Sequence, residues 1–318
     1  MRKRLLGKTG LNVSEIAFGG VEIGLPYGIG VESAADMLTE FEAIYLLQTA
    51  VENGINFFDT ARQYGNSEAL MGKAFRGQRD KVILATKCRH FKTAAGTLPP
   101  DSELKAIIET SLQESLAALQ TSYVDVFMLH QGDLEILNNA EIARVFQNLK
   151  QSGQIKATGV STYTPEETEK AIATGGWDVI QLPFNLMDQR QEKLFAAAEA
   201  AGVGIIIRSV LLKGLLSSRG ENLHPALANV ETHIQNYQQL LGINAADLPT
   251  LATKFALSFP EVASILVGID RLEYLHKSIA AASGTTLTSE TLQKAKQLAY
   301  PEPEFLNLPH WDRMGWLK

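Results

Sequence analysis

Four side chains of complementary chemistry stand at or near the ends of successive apolar runs in this chain. The run 55–59 closes on Asp59, and Tyr64 follows in a polar stretch that ends at Gly65. The run 81–87 closes on Lys87, and the run 123–130 closes on His130. A carboxylate, an ammonium and an imidazole, with a phenol on the loop after the first, suit one reaction: delivery of hydride to a carbonyl, or its reverse. The carbonyl oxygen gains negative charge as hydride arrives and needs a proton. A phenol titrating near about 10 is a poor donor at neutral pH. A neighbouring ammonium favours the phenolate and lowers that value. A carboxylate beside the ammonium keeps it charged and oriented, and an imidazole N–H can bind and polarise the carbonyl oxygen. Tyr64 is therefore read as general acid/base, Lys87 as its tuner, Asp59 as the partner of Lys87, and His130 as the group that orients the carbonyl. Taken singly, Asp59 reads as a turn former, Lys87 as a solvated charge, His130 as a core histidine and Tyr64 as packing. Their joint placement carries the assignment.

Such a site requires the three runs to lie side by side. Short apolar runs at 15–20, 55–59, 81–87, 123–130, 155–161, 177–184, 204–209 and 262–269 predict strands. Helical periodicity or capping signals follow each, at 40–52, 67–75, 101–119, 139–151, from 164, 191–201, 248–259 and 272–282. Strands that are apolar on both faces and joined by helices imply a parallel sheet covered on both sides. Eight such units predict a closed (β/α)8 barrel, α/β in class, whose active site lies at the C-terminal ends of the strands. A Thr9-Gly10 turn predicts a hairpin ahead of the first barrel strand. Residues 211–246 read as a long loop of the kind that forms lids, and the tail adds a helix near 289–299 before a proline-rich aromatic segment. One barrel domain is expected over residues 1–318.

With 318 residues, 45% of them hydrophobic, the chain can bury a large core without staples. Its single cysteine, Cys88, allows no internal disulfide and fits a reducing compartment. A net charge of −6 argues against nucleic-acid or anionic-membrane partners. The basic start lacks the apolar segment of a signal peptide, and no apolar run is long enough for a transmembrane helix. A cytoplasmic protein, with a monomer as the simplest state, is expected. His224 and His233 have no ligand-spaced partners, so no metal site is expected.

Along nearly its whole length the sequence resembles the aldo-keto reductases. Asn56-Phe57-Phe58-Asp59-Thr60-Ala61-Arg62-Gln63-Tyr64-Gly65 is similar to the family's motif around its catalytic Asp and Tyr. Ala85-Thr86-Lys87 and Asp125 to His130 are similar to the strands that carry its Lys and His. The resemblance implies a (β/α)8 barrel, a nicotinamide dinucleotide bound without a Rossmann fingerprint, and a small carbonyl or alcohol substrate. It also implies that Ser161, Thr162 and Gln181 hold the carboxamide, Thr162 standing where the family usually has Asn. Arg208 takes the ring-stacking position in a cofactor-binding motif that continues through Ser209 and Leu211, and Gly214 lies on the stretch 212–216 that passes the pyrophosphate. Gly268, Arg271 and Lys277 fall at the adenosine end.

That end departs most from the family pattern. Asp270 would repel a 2′-phosphate and can accept from a ribose hydroxyl, while Arg271 and Lys277 are the bases that could replace the usual clamp. NADP(H) is the family expectation, with NAD(H) also admitted. Tyr27, on the loop after the first strand, is a candidate substrate contact. His310, Trp311 and Trp316 either line the pocket or pin the tail. A regulatory, non-catalytic nicotinamide-binding subunit on the same barrel is the alternative, as in proteins that resemble potassium-channel β subunits; the intact tetrad favours the enzyme.

Overall fold

Eight parallel strands close into a barrel in the computed structural model, which describes residues 1–31, 33–93 and 95–317. A hairpin of β1 (Lys3–Leu5) and β2 (Asn12–Ser14) leads into β3 (Ile16–Gly19), the short α1 (Val21–Gly24) and α2 (Glu40–Glu52). Next come β4 (Phe57–Asp59), α3 (Ser67–Ala74), β5 (Ile83–Lys87), α4 (Asp101–Leu119) and β6 (Val124–Leu129). Then follow α5 (Leu134–Asn138), α6 (Ala140–Gln151), β7 (Ile155–Ser161), α7 (Pro165–Thr174), β8 (Val179–Pro183), α8 (Phe195–Ala201) and β9 (Gly204–Arg208). Helices α9 (Ala228–Leu241) and α10 (Leu248–Leu257) precede β10 (Val262–Gly268). The chain continues through α11 (Leu272–Ser283), α12 (Ser289–Gln297) and α13 (Leu308–Arg313). Closure is made by β10 against β3, with Ile265 opposite Ile16. This is the (β/α)8 barrel expected.

Local signals set the helix starts. Thr39 and Thr164 form capping boxes with Glu42 and Glu167, and Pro165 occupies the first turn of α7, where its missing N–H costs no hydrogen bond.

Strand alternation decides which side chains reach the site. Phe57, Ala85, Val126, Met128, Ala157, Val179 and Ile206 point inward and fill the barrel. Their out-of-phase neighbours Phe58, Leu84, Phe127, Leu129, Val160, Ile180 and Ile207 pack against the helices. Because side chains repeat every second residue, the next inward positions are Asp59, Lys87, His130, Gln181 and Arg208. The barrel core therefore ends where the polar site begins.

The hairpin seals the opposite end. Leu6 and Val13 join the inner core. Arg4 donates to Glu15 Oε1 at 2.8 Å and to the carbonyls of Leu257, Phe259 and Val262 at 2.9, 2.9 and 2.7 Å. Glu15 is buried and also takes Arg2 at 2.8 Å. Arg4→Ala is expected to lower stability by about 2–4 kcal/mol, since it takes one of two guanidinium partners from a buried carboxylate and strips three carbonyls of their donor. Arg4→Lys should recover only part of that, because an ammonium lacks the planar fork. Denaturant unfolding midpoints measure both, and dinucleotide affinity should be unchanged.

The insertion between β9 and α10 is more ordered than a loop. Val230, Ile234 and Tyr237 stand one turn apart and are buried, which makes α9 a packed helix. The Tyr237 hydroxyl lies 2.8 Å from the Leu186 carbonyl and 2.5 Å from that of Leu298, its one proton shared between them, tying α9 to the tail. The proline-rich tail contains α13, with the Asn307 side chain accepting from His310 N at 3.1 Å. Trp311 is fully buried and pins this segment. Among the described residues no helix is long and apolar enough to cross a membrane.

Candidate active site

A groove of about 730 Å³ crosses the C-terminal mouth of the barrel, within the range of about 300–1,000 Å³ usual for small-molecule sites. One end holds Asp59, Tyr64, His130 and Gln181, and the other reaches Asp270, Tyr274 and Ser278.

Lys87 lies beneath the first end with its side chain 1% exposed, against 3% for Asp59. Its Nζ donates to Asp59 Oδ1 at 2.5 Å and to the Thr60 carbonyl at 3.1 Å. Gln181 Nε2 donates to the other Asp59 oxygen at 3.0 Å. Both oxygens of the buried carboxylate are thus engaged, which fixes the ammonium in place. The Tyr64 ring stands 5.0 Å from Lys87 Nζ and meets the His130 ring edge-on at 5.4 Å. The four residues expected to act together are brought together.

Their electrostatics differ from the sequence expectation in one respect. Burial, and next the Asp59 charge, push the Tyr64 phenol above its ordinary value. Lys87 was expected to lower it, but that ammonium is matched by Asp59. Burial also pulls Lys87 down, with Asp59 opposing. The result is a phenol that keeps its proton at neutral pH. Burial, then the charges of Lys87, His90 and Arg208, push His130 down to about 2, so its imidazole is neutral. Its Nδ1 is buried without a hydrogen-bond partner among the described residues. His90, which lies outside any sequence motif, packs edge-on against it at 4.9 Å.

Ser161 and Gln181 line the groove as expected. Thr162 does not: it follows Ser161 by one residue, so alternation turns it outward, and its buried hydroxyl pairs with Thr168 at 2.7 Å. Arg208 lines the wall, lies over the ring of Tyr163 at 4.4 Å and donates to the Thr162 carbonyl at 2.8 Å. Tyr163, another wall residue, carried no signal in sequence.

After β9 the backbone turns left-handed at Ser209, Leu212, Lys213 and Gly214, with φ of 61°, 47°, 57° and 104°. Three of these are not glycine, each costing about 1–3 kcal/mol. Leu211 and Gly214 lie in this run, on the wall. Lys213 bonds Asp312 at 2.6 Å and lies 4.8 Å from the Tyr27 ring, so the tail, this run and the loop after β3 interlock over the groove. Pro303, Glu304 and residues 306–309 of the tail also line it. Trp316 stacks on His224 rather than facing the groove wall.

At the far end, Gly268 and Lys277 line the wall, whereas Arg271 is exposed and off it. Lys277 is bonded to Glu273 at 2.6 Å. Glu22, on α1, was not singled out from sequence. Its Oε2 is closed to solvent without a partner among the described residues, and burial, then Asp270 and Asp59, push its carboxyl up to about 8. Cys88 points away into the outer core, and burial pushes its thiol up to about 12, so it is inert.

A parallel barrel with a buried lysine–carboxylate pair beside a tyrosine and a neutral histidine defines an oxidoreductase of the hydride-transfer kind. The model of the Aldo/keto reductase family matches residues 15–299, and the chain belongs to that family. It is an NAD(P)-dependent oxidoreductase. The chain is 30% identical to the Bacillus subtilis (strain 168) protein named uncharacterized oxidoreductase YqkF, covering 92% of this chain and 95% of that one. It is 28% identical to L-galactose dehydrogenase of Arabidopsis thaliana, covering 94% of each. The structure superposes on the aldo-keto reductase AKR11C1 from Bacillus halodurans, holo form, with a TM-score of 0.78 and 29% identity over 94% of this chain and 96% of that one.

A nicotinamide dinucleotide fits the groove described. The wall offers polar side chains at the catalytic end, a strained backbone run, and a carboxyl oxygen with no partner among the described residues.

Proposed function

We propose that this chain interconverts a small aldehyde, ketone or sugar and the matching alcohol or lactone, with Tyr64 as the general acid/base. The observation that carries the reading is the buried Lys87–Asp59 pair set 5.0 Å from the Tyr64 ring. When bound, the reduced nicotinamide supplies hydride. Ser161, Gln181 and Arg208 hold its end of the groove. His130, neutral, donates an N–H to the carbonyl oxygen and fixes its direction. Tyr64 passes its proton to that oxygen, and the Lys87 ammonium stabilises the phenolate that remains. Tyr27 and the tail segment 303–309 bound the substrate space. Consumption of reduced nicotinamide, followed by absorbance with a panel of aldehydes, ketones and sugars, tests this. Cofactor binding without turnover of any carbonyl or alcohol would instead support a regulatory binding subunit.

For the cofactor, the far end favours a ribose hydroxyl over a phosphate, so NAD(H) is proposed ahead of the NADP(H) that the family suggests. Asp270 and Glu273 place carboxylates on the wall, and the ammonium of Lys277 is already committed to Glu273. Asp270→Asn is expected to tighten NADPH by about five- to tenfold, from removing one like charge near the phosphate, and to leave NADH within about twofold. Fluorescence titration with both cofactors reads this directly. A strong NADPH preference in the unaltered protein would overturn it.

A further inference from the structure

Glu22 sits midway along the groove, between the catalytic end and the adenosine end. Asp59 of β4 acts on it from one side and Asp270, after β10, from the other. Its carboxyl is pressed against the backbone at the end of β10: a Cβ on Gly268 would fall on Oε1 and displace the carboxyl. Oε2 is closed off and unpartnered among the described residues, although Glu22 lines the groove wall. An orphaned buried polar atom costs about 1–3 kcal/mol, a cost that a ligand can remove. The left-handed backbone from Ser209 to Gly214 lines the same groove. With the nicotinamide at Tyr64 and the adenosine at α11, the part of a dinucleotide between these walls is its diphosphate.

We infer that Glu22 is a cofactor contact, donating a hydrogen bond from its carboxyl O–H to a diphosphate oxygen. The inference rests on reading the groove as the dinucleotide site. A carboxylate at this place would repel the diphosphate, whereas the acid form binds it. The surroundings hold the acid form, since burial and two facing carboxylates raise the group to about 8. The phenols of Tyr27 and Tyr64 close the catalytic side. From α3, which packs on α1, Glu68 is tied to Arg62 and Thr86. Across the groove Lys213 is paired with Asp312, and Arg219 donates to the Ile29 carbonyl at 3.0 Å.

The sign follows. Below about pH 8 the free protein already carries the proton, so affinity is level. Above it a proton must be taken up on binding, and affinity falls towards tenfold per pH unit. NADH titrations between about pH 6.5 and 9.5 should therefore show the dissociation constant rising more than about tenfold over the last 1.5 units. Glu22→Gln, always neutral and of the same shape, should bind with an affinity level to about twofold over that range. It also subtracts any titration of Lys87. Calorimetry near pH 9 in buffers of different ionisation enthalpy should detect proton uptake in the unaltered protein and none in Glu22→Gln. A level profile in the unaltered protein, or a slope that survives in Glu22→Gln, overturns the inference. So does affinity that rises with pH, since a ribose hydroxyl donating to the carboxylate would produce that. Failure of both NADH and NADPH to bind at any pH would instead remove the reading of the groove on which the inference stands.

Discussion

Tyr64→Phe should lower kcat by about 10²–10⁴-fold, the range expected for a positioned proton donor, and leave dinucleotide affinity within about twofold. The phenyl ring fits the same place, 5.0 Å from Lys87 Nζ and edge-on to His130. What is lost is an O–H whose proton burial retains at neutral pH and which, in the proposed mechanism, passes to the substrate oxygen. Neither neighbour can replace it. The Lys87 ammonium is directed at Asp59 and the Thr60 carbonyl, and the His130 imidazole is neutral, so it can donate a hydrogen bond but holds no spare proton to transfer. Single-turnover oxidation of reduced nicotinamide, at saturating carbonyl, isolates the chemical step. A variant that turns over at the rate of the unaltered protein would remove Tyr64 from the mechanism.

Lys87→Met should damage both activity and stability. Its side chain is 1% exposed and that of Asp59 is 3% exposed, so removal of the ammonium leaves a carboxylate far from water with only the Gln181 amide. Breaking a buried pair from one side costs about 3–5 kcal/mol. Activity should fall by two or more decades, because nothing remains to stabilise the phenolate. The informative comparison is Asp59→Asn combined with Lys87→Met. Replacing both charges removes the stranded carboxylate, and most of the lost stability should return, while activity should not. Urea midpoints and turnover, measured on the two single variants and the double, separate the effects. If Lys87→Met unfolds at the same urea concentration as the unaltered protein, the pair is not the buried, tightly coupled unit described here.

Much of the fold was readable because parallel strands are covered on both faces and appear as short apolar runs. The tetrad was readable because three of its members sit where those runs stop. Thr162 shows what resemblance alone misses. It occupies the position that the family motif assigns to the carboxamide, yet alternation from Ser161 turns it outward to Thr168. Helix α9 escaped notice because it lies inside an insertion, although Val230, Ile234 and Tyr237 already mark a helical face. Glu22 could not have been found this way. Its raised affinity for a proton comes first from burial and then from Asp270 and Asp59, 248 and 37 positions further on, and distance in sequence says nothing about such neighbours. The pairing of Lys277 with Glu273, by contrast, is an ordinary one-turn helix contact that the spacing of the two residues already permits.

The seam between β10 and β3 has a consequence for how the chain is made. Ile265 pairs with Ile16, and Arg4 caps carbonyls at 257, 259 and 262. At about 5–20 residues per second, β3 leaves the ribosome roughly ten to fifty seconds before its second partner exists. Until then β3 has one open edge, and the hairpin has no floor to seal. Contacts this distant along the chain are slow to form. The nascent protein therefore has to hold most of a barrel open, and its unpaired edge is the surface a chaperone would meet first.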